Sequence, residues 1–491
     1  MANYNVFIYT PVEYPNLDMT RTPAKTAAVE DRLGSFGEIE QTYTPEQARC
    51  EAERCLNCPT HWCQKKCPIG MDVPGFIARL REGDVEGAYE IIRTYSTLPE
   101  ICSRVCPQYK QCQSECTRSL RGEAVAIGRL ERYAVEAYHR THEAPRTAPA
   151  QDARSVAVIG SGPSGLTVAS ELADRGMAVT VYERRPQLGG LLQYGIPGMK
   201  LDKDVVAGTV ERLERKGVRF VTGTEVGKDV SAQQLRKEFD AVVLCAGAGV
   251  PRPLALEGAE QISGIYNAVD YLTACYDAVK ATGSAREAAI SAQDKHVVVL
   301  GGGDTGNDCI GAALRQGCAS LVQVELMPKD PVAPIQISFT PAEHQDIPLN
   351  TSQEEARMVL GKDPHLYQTT IRSAKTDGKG QLEAVTLVEM QPVRQKGSRR
   401  FTMEPVAGTE RTIPCQMLIN ATGFIGTEPA LADAFGAELD ARGNLEADAR
   451  RFSTNVPGVF ACGDCRSGQS LVVKSMLEGR SCAQAVAEYL K

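Results

Sequence analysis

The sequence predicts an α/β protein in three parts: an α-helical, cysteine-rich N-terminal domain and two Rossmann-like domains, the second inserted in the first. Three observations carry this. Nine of the 17 cysteines (Cys50, Cys55, Cys58, Cys63, Cys67, Cys102, Cys106, Cys112 and Cys116) lie between positions 50 and 116. A β-type run, a glycine turn, an amphipathic stretch and a second β-type run follow one another over 156–183. A related series recurs about 140 residues later, over 296–325, and strand–helix–strand units of this kind build parallel sheets.

The length of 491 residues suggests about three domains. With 43% hydrophobic and 23% charged residues the usage is that of a globular chain. No stretch approaches the ~18 uninterrupted apolar residues of a membrane span. The opening Met1-Ala2-Asn3-Tyr4-Asn5 leads no basic segment into an apolar one, so a cytoplasmic, reducing location is expected. A net charge of -7 without a long basic run argues against nucleic acid as partner.

Residues 1–48, with Pro11, Pro15, Pro23 and Pro45, read as an extended arm. Helical periodicity is legible over 73–88 and over 124–140, the latter through Val125, Ile127, Leu130, Ala134 and Ala137. The proline- and alanine-rich 141–152 is a linker. The expected division is 1–150, 151–264, 265–423 and 424–491, the second and fourth forming one domain. Segment 329–370, rich in Pro, Asp and Gln, reads as an insertion or a partner surface.

The cysteines are spaced Cys55-x2-Cys58-x4-Cys63-x3-Cys67-Pro68, then Cys102-x3-Cys106-Pro107 and Cys112-x3-Cys116. Thiolates clustered in a reducing compartment usually bind metal. Three close cysteines wrap one corner of a cubane, and a cysteine before proline is turned toward another cluster. Cys55, Cys58, Cys63 and Cys116 are thus assigned to one [4Fe–4S] cluster, and Cys67, Cys106 and Cys112 to a second, which lacks one ligand. Structural zinc is the competing reading, but only one C-x2-C hook is present. His61, beside the only tryptophan, is read as a loop residue.

The first glycine turn, Gly160-Ser-Gly162-Pro163-Ser164-Gly165, follows a strand and opens a helix, and Glu183 ends the next strand. Glycines permit the tight turn and close approach to a pyrophosphate, which sits at the helix N-terminus, while the acid accepts from ribose hydroxyls. The second turn, Gly301-Gly302-Gly303-Asp304-Thr305-Gly306, has the same context, with Glu325 at its strand end. An acid there pairs with a free 2′-hydroxyl and repels a 2′-phosphate, favouring NADH over NADPH. Near the C-terminus, Gly423 ends an apolar run, and Gly463-Asp464 and Gln469-Ser470-Leu471 follow. Asp464 is placed to accept from a ribityl hydroxyl of a flavin. Gly190, Leu191 and Gly247 complete the candidate flavin-side set. Cys462-Gly-Asp-Cys465 is formally a C-x-x-C redox pair, a competing reading of that segment.

On these residues the chain resembles the small (β) subunit of glutamate synthase over nearly its whole length. Gly301-Gly-Gly-Asp-Thr-Gly-Asn-Asp308, Arg451-Phe-Ser-Thr-Asn-Val-Pro-Gly-Val-Phe-Ala-Cys-Gly-Asp-Cys465, Gly468-Gln-Ser-Leu-Val-Val473 and Glu478-Gly-Arg480 are the most family-like stretches. Arg104-Val-Cys-Pro-Gln108 and Ala126-Ile-Gly-Arg-Leu-Glu131 also resemble the large subunit of NADH-dependent ferredoxin–NADP reductase and the N-terminal half of dihydropyrimidine dehydrogenase. The resemblance implies FAD, NADH or NADPH and two [4Fe–4S] clusters, with Glu131 as the eighth ligand and Cys50 and Cys102 as bystanders. It also implies an electron-input role toward the FMN of a large subunit that makes glutamate from glutamine and 2-oxoglutarate. Two departures stand out: Pro331-Val-Ala-Pro-Ile-Gln carries no tryptophan where the family has a tryptophan-rich segment, and Lys474 replaces a bulky aromatic. Delivery of electrons to a ferredoxin-type acceptor or a pyrimidine-reducing partner is the first alternative. A non-catalytic, metal-stapled assembly module is the second.

Overall fold

Caps and prolines set the helices of the cysteine-rich region. Thr44 opens Pro45–Ala52 with a reciprocal capping box, and Asp72 and Asp84 accept from backbone N–H groups at the starts of Val73–Arg81 and Val85–Tyr95. The helix expected over 73–88 is therefore two: Gly83 turns left-handed (φ +80°) and Asp84 caps anew. The helix expected from 124 begins at Ile127 and runs to His139. Trp62–Lys66 and Pro99–Val105 both end at a cysteine with extended backbone, Cys67 and Cys106, because the following proline disfavours the helical region for the residue before it.

The computed structural model describes residues 17–329, 350–394 and 401–491, so Pro331 to Gln336 lie outside the described residues. It divides into two compact units: Met1–Lys25 with Gln41–Glu143, and Thr26–Glu40 with Ala144–Lys491. The first unit is helical around a core that includes Tyr43, Phe76, Ile77, Ile92 and Leu130. Within it the pair Glu51–Arg54 (2.7 Å) is fully buried. Glu51 also accepts from Thr22 N–H (2.7 Å) and Ala126 N–H (2.8 Å), and Arg54 donates to the carbonyls of Asp18, Met19 and Glu123. A buried pair costs desolvation unless its remaining groups are bonded. Here they are, and the result fixes where Ile127–His139 starts.

In the second unit, one parallel sheet runs Val459–Ala461, Ala241–Leu244, Ser155–Ile159, Ala178–Tyr182, Arg219–Val221. Val156 pairs with Val179 on one side and Ala241 on the other. A second parallel sheet runs Ile265–Asn267, Met417–Asn420, His296–Leu300, Ser320–Val324, His365–Leu366. The chain thus completes its first sheet with Val459–Ala461 only after building the second, which is the expected insertion. Central strands are buried along their length, as befits sheets covered on both faces. Between 369 and 414 the chain adds the antiparallel strands Thr369–Thr376, Leu382–Arg394, Phe401–Pro405 and Arg411–Pro414. Segment Thr26–Glu40 of the expected arm contains a short helix, Val29–Arg32. It is held by Arg32–Glu354 (2.6 Å) and by Arg315, which donates to Ser35 O (2.7 Å) while paired with buried Glu355. No helix among the described residues is long and apolar enough to cross a membrane.

Candidate functional site

Both glycine turns of the second unit have the same construction. Gly160 (φ +103°) and Gly301 (φ +120°) adopt backbone that L side chains rarely reach, and a Cβ would meet the carbonyls of Cys245 and Ala421 at 2.5 Å. Gly165 and Gly306 lie against the carbonyls of Gly160 and Gly301, so only a residue without a side chain lets each helix pack on its strand. Gly162 and Gly303 differ: nothing lies within 4 Å of the Cβ position. Each precedes a helix, Pro163–Ala173 and Asp304–Gln316 respectively, that has no side-chain cap. Pro163, Ser164, Asp304 and Thr305 form the first turns. Uncapped N–H groups beside open space at a positive helix end suit an anion.

The strand-end acids are tied to these turns. Glu183 accepts from Ser161 N–H (3.0 Å), Ser161 Oγ–H (2.5 Å) and Arg185 N–H (2.9 Å). Ser161 Oγ in turn accepts from Gly189 N–H (3.0 Å), and Gly190 approaches Gly162 so closely that a Cβ would lie 3.0 Å from its Cα. The motif spacing singles out neither Ser161 nor Gly189, because Ser161 occupies the variable place between two glycines, where sequence gives no signal. In the second turn Glu325 accepts from Gly302 N–H (2.5 Å) and Met327 N–H (2.8 Å).

Residues far apart in sequence converge on the first turn. A Cβ on Gly463 would meet Ser164 Oγ at 2.5 Å. Asp464 Oδ1 accepts from Ser470 Oγ–H (2.9 Å) and Ser475 Oγ–H (2.6 Å), and burial raises its carboxyl pKa against those bonds. Gly463 N–H donates to Glu478 (2.8 Å). Gln469 Oε1 accepts from Phe424 N–H (2.9 Å) and lies over Gly423, and Leu471 precedes the helix Val472–Tyr489. Gly247 is left-handed (φ +75°), and Leu191 stands 42% exposed at the start of Leu191–Tyr194. Lys200 pairs with buried Asp308 (3.1 Å) of the second turn's helix, linking the two nested domains. Cys462 and Cys465 are buried free thiols whose pKa is raised, Cys465 donating to Leu244 O. Thiolate exchange chemistry is disfavoured there.

The first unit brings most of its cysteines within electrostatic reach of one another. Cys55, Cys58, Cys63 and Cys116 lie within electrostatic reach of one another, with Cys58 Sγ 3.2 Å from Thr117 Oγ1. Cys67, Cys106 and Cys112 each lie within electrostatic reach of Glu131, while Cys67 and Cys106 also reach Cys102, and Cys112 also reaches Cys63. Burial pushes Cys55 up to about 11, Cys63 to about 12, and Cys67 and Cys112 also upward. Cys106 is raised first by a hydrogen bond with buried Cys102, then by burial. Burial lifts the Glu131 carboxyl to about 8. The connecting loop holds two non-glycine residues in left-handed backbone, Asn57 (φ +47°) and His61 (φ +44°). Sequestered thiols and a carboxylate, with burial opposed at Cys55 by the charge of Arg81, are the residue types that a bound metal would hold ionised. Among the described residues, however, no three or more such donors are set to hold a metal ion. The donor types suit zinc as well as a cubane, and the residues by themselves leave both.

Nested nucleotide-type domains, a thiol-rich unit and the two family models that match them together define a class, the NAD(P)H-dependent flavin oxidoreductases that carry an iron–sulfur domain. The family model described as dihydropyrimidine dehydrogenase domain II, 4Fe-4S cluster, matches residues 32–143. The pyridine nucleotide-disulphide oxidoreductase model matches 131–237 and 154–479. A glutamate synthase [NADPH] small chain of Bacillus subtilis is 35% identical over 94% of this chain and 94% of its own. That of Escherichia coli is 33% identical over 99% of both. Glutamate synthase [NADH] of Schizosaccharomyces pombe is 33% identical over 93% of this chain, which spans 22% of that longer protein. The fold is similar to that of Mycobacterium tuberculosis FprA in complex with NADPH, with TM-score 0.54 and 20% identity over 69% of this chain and 85% of that one. The chain belongs to the glutamate synthase small-chain family.

Proposed function

We propose that the protein is the electron-input subunit of a glutamate synthase. It oxidises NAD(P)H and delivers the electrons to an FMN-bearing large subunit that makes glutamate from glutamine and 2-oxoglutarate. The observation that carries this reading is full-length similarity to small chains of that name, joined to two glycine turns of common construction in one unit. The Schizosaccharomyces pombe relative supports a partner, since a single chain there joins a region like this one to a much longer remainder. Likeness of 32–143 to dihydropyrimidine dehydrogenase domain II covers the metal-binding part alone, so a pyrimidine-reducing partner is the weaker reading.

In this reading Gly160, Gly162, Pro163, Ser164 and Gly165 hold the FAD diphosphate and Glu183 its ribose. Gly190, Leu191, Gly247, Gly423, Gly463, Asp464, Gln469, Ser470 and Leu471 surround the remainder. Gly301, Gly302, Gly303, Asp304, Thr305 and Gly306 hold the nicotinamide dinucleotide, with Glu325 on its ribose. Cys55, Cys58, Cys63 and Cys116 take one [4Fe–4S] cluster, and Cys67, Cys106, Cys112 and Glu131 the other. A bound flavin supplies conversion of a hydride's electron pair into the single electrons that iron–sulfur centres carry. The polypeptide binds and orients these groups, and hydride transfer needs no general base from it.

The test is anaerobic. Full-length protein should show flavin bands and a broad iron–sulfur shoulder that NAD(P)H bleaches. Mixed with a glutamate synthase large subunit, it should oxidise NAD(P)H only when glutamine and 2-oxoglutarate are both present. Oxidation indifferent to those two compounds would remove the glutamate synthase assignment. A spectrum without flavin or sulfide would leave only the assembly-module alternative.

A further inference from the structure

We infer that the second unit carries a further ligand site, apart from both glycine turns, that takes a carboxylate borne on an apolar body and seats it on Lys203 and Tyr276. A cavity of about 690 Å³ lies between the helices Lys203–Arg215 and Ala268–Thr282, with the loop 186–198 along one side. That is the size of an ordinary small-molecule site. None of the residues around it belongs to the sets gathered at the two turns. Its inner wall is apolar: Leu272 and Cys275 are buried there, and Ile196 and Val279 complete it. Left empty, a space of this kind forfeits the contacts that fill a protein interior.

Three donors converge beside that wall. Lys203 Nζ donates to Leu192 O (2.8 Å) and to Ile196 O, which leaves the ammonium its third N–H. The ring centroid of Tyr276 lies 6.0 Å from this nitrogen, and the ring of Tyr194 stands edge-on to Tyr276 at 5.2 Å. Tyr276 Oη accepts from Gln193 Nε2–H (2.6 Å) and Tyr194 Oη from Gln187 N–H (3.0 Å), so each phenol keeps its own proton to give. Charge at Lys203 is only partly compensated. Burial pulls its pKa down to about 8, and the two acids that oppose the shift are engaged elsewhere. Asp308 pairs with Lys200 (3.1 Å), and Asp202 caps its helix through Asp204 N–H (2.9 Å). A carboxylate on an apolar body supplies the missing charge and fills the space together. Asp204, Glu211 and Glu214 also border the cavity, but they are exposed at its rim with Lys280, where water screens them. Those acids disfavour a second negative charge on the ligand, which confines the class to monoanions.

Equilibrium dialysis of the full-length protein tests this with two monocarboxylates, decanoate for a chain and 2-naphthoate for a ring, each against a neutral counterpart, decanol or 2-naphthamide. At least one acid should bind at one per chain, at least about tenfold tighter than its counterpart, and the tighter of the two tells chain from ring. Saturating NADH should not displace it. Lys203→Met keeps length without charge and should erase the preference for the acid. Tyr276→Phe removes one hydroxyl alone and should weaken the acid about tenfold with an unchanged thermal midpoint. Val279→Trp fills the cavity and should abolish binding, so the test stands even where the Lys203 variant does not fold. No saturable binding, or equal binding of acid and counterpart, overturns the inference. So does a preference that a folded Lys203→Met retains, or binding that Val279→Trp leaves intact. Displacement by NADH places the acid at a nucleotide turn and overturns it as well.

Discussion

Glu131 places one carboxylate among three thiols, and the described residues give it no ion pair. Burial that raises its pKa to about 8 is the cost of that placement, and a structural role for a lone acid in such a spot is hard to find. If it completes a cluster, Glu131→Ala should lower iron from about eight to about four atoms per chain, while Glu131→Cys keeps about eight. Iron and acid-labile sulfide in anaerobically prepared protein decide it, and unchanged iron in the alanine variant would refute ligation. Ser161 acts through another residue. Its hydroxyl donates to Glu183 and accepts from Gly189 N–H, so Ser161→Ala leaves a buried carboxylate one donor short and a backbone donor unpaired. The loss should be about 1.5–3 kcal/mol, read from the urea midpoint. An effect below 0.5 kcal/mol, the range of about neutral surface changes, would show that water substitutes fully.

At the level of elements, the two glycine turns and their strand-end acids were legible because each requirement falls on one residue type at a fixed offset. Nesting was legible too, from the recurrence of the unit and the return of flavin-type residues after 423. What escaped the sequence depends on backbone sign or on distant partners. Apolar spacing runs unbroken through 73–88, and only the left-handed Gly83 with the Asp84 cap divides that stretch into two helices. Prolines marked the arm, but nothing local announces that Arg32 and Ser35 meet Glu354 and Arg315 some three hundred residues on. Glu131 came through resemblance rather than spacing. The turns also separate packing glycines from ligand glycines. Gly165→Ala should cost about 1–3 kcal/mol, because the new methyl meets the Gly160 carbonyl. Gly162→Ala, with ordinary φ of -68° and open space, should change stability by no more than about 0.5 kcal/mol yet release flavin on gel filtration. Retained flavin in that variant would argue against a diphosphate there.

Across the molecule, titration of buried groups couples stability to alkaline pH. Eight thiols of the second unit have raised pKa values: Cys245, Cys275, Cys309, Cys318, Cys415, Cys462, Cys465 and Cys482. Burial leads in all but Cys462, where the hydrogen bond with Cys245 pulls downward and is outweighed by that with Cys482 and by burial. Below pH 9 these thiols are protonated in folded and unfolded chains alike, and their contribution is fully present. As pH rises above 9 the unfolded chain sheds protons that the folded chain keeps, so stability is lost, at up to about 1.4 kcal/mol per pH unit for each thiol. Tyr271, also raised by burial, adds to the loss from about pH 10. Lys203 opposes them. Burial lowers its pKa to about 8, so between pH 8 and its ordinary 10.5 the unfolded chain holds the extra proton and stability gains. One amine against eight thiols leaves a net fall. The urea midpoint, followed by circular dichroism under reducing conditions, should be nearly level from pH 7 to 8.5 and drop steeply between pH 9 and 11. A midpoint level or rising across that upper interval would mean that these thiols ionise in the folded chain as readily as in the unfolded one, and that the second unit's interior admits water to them.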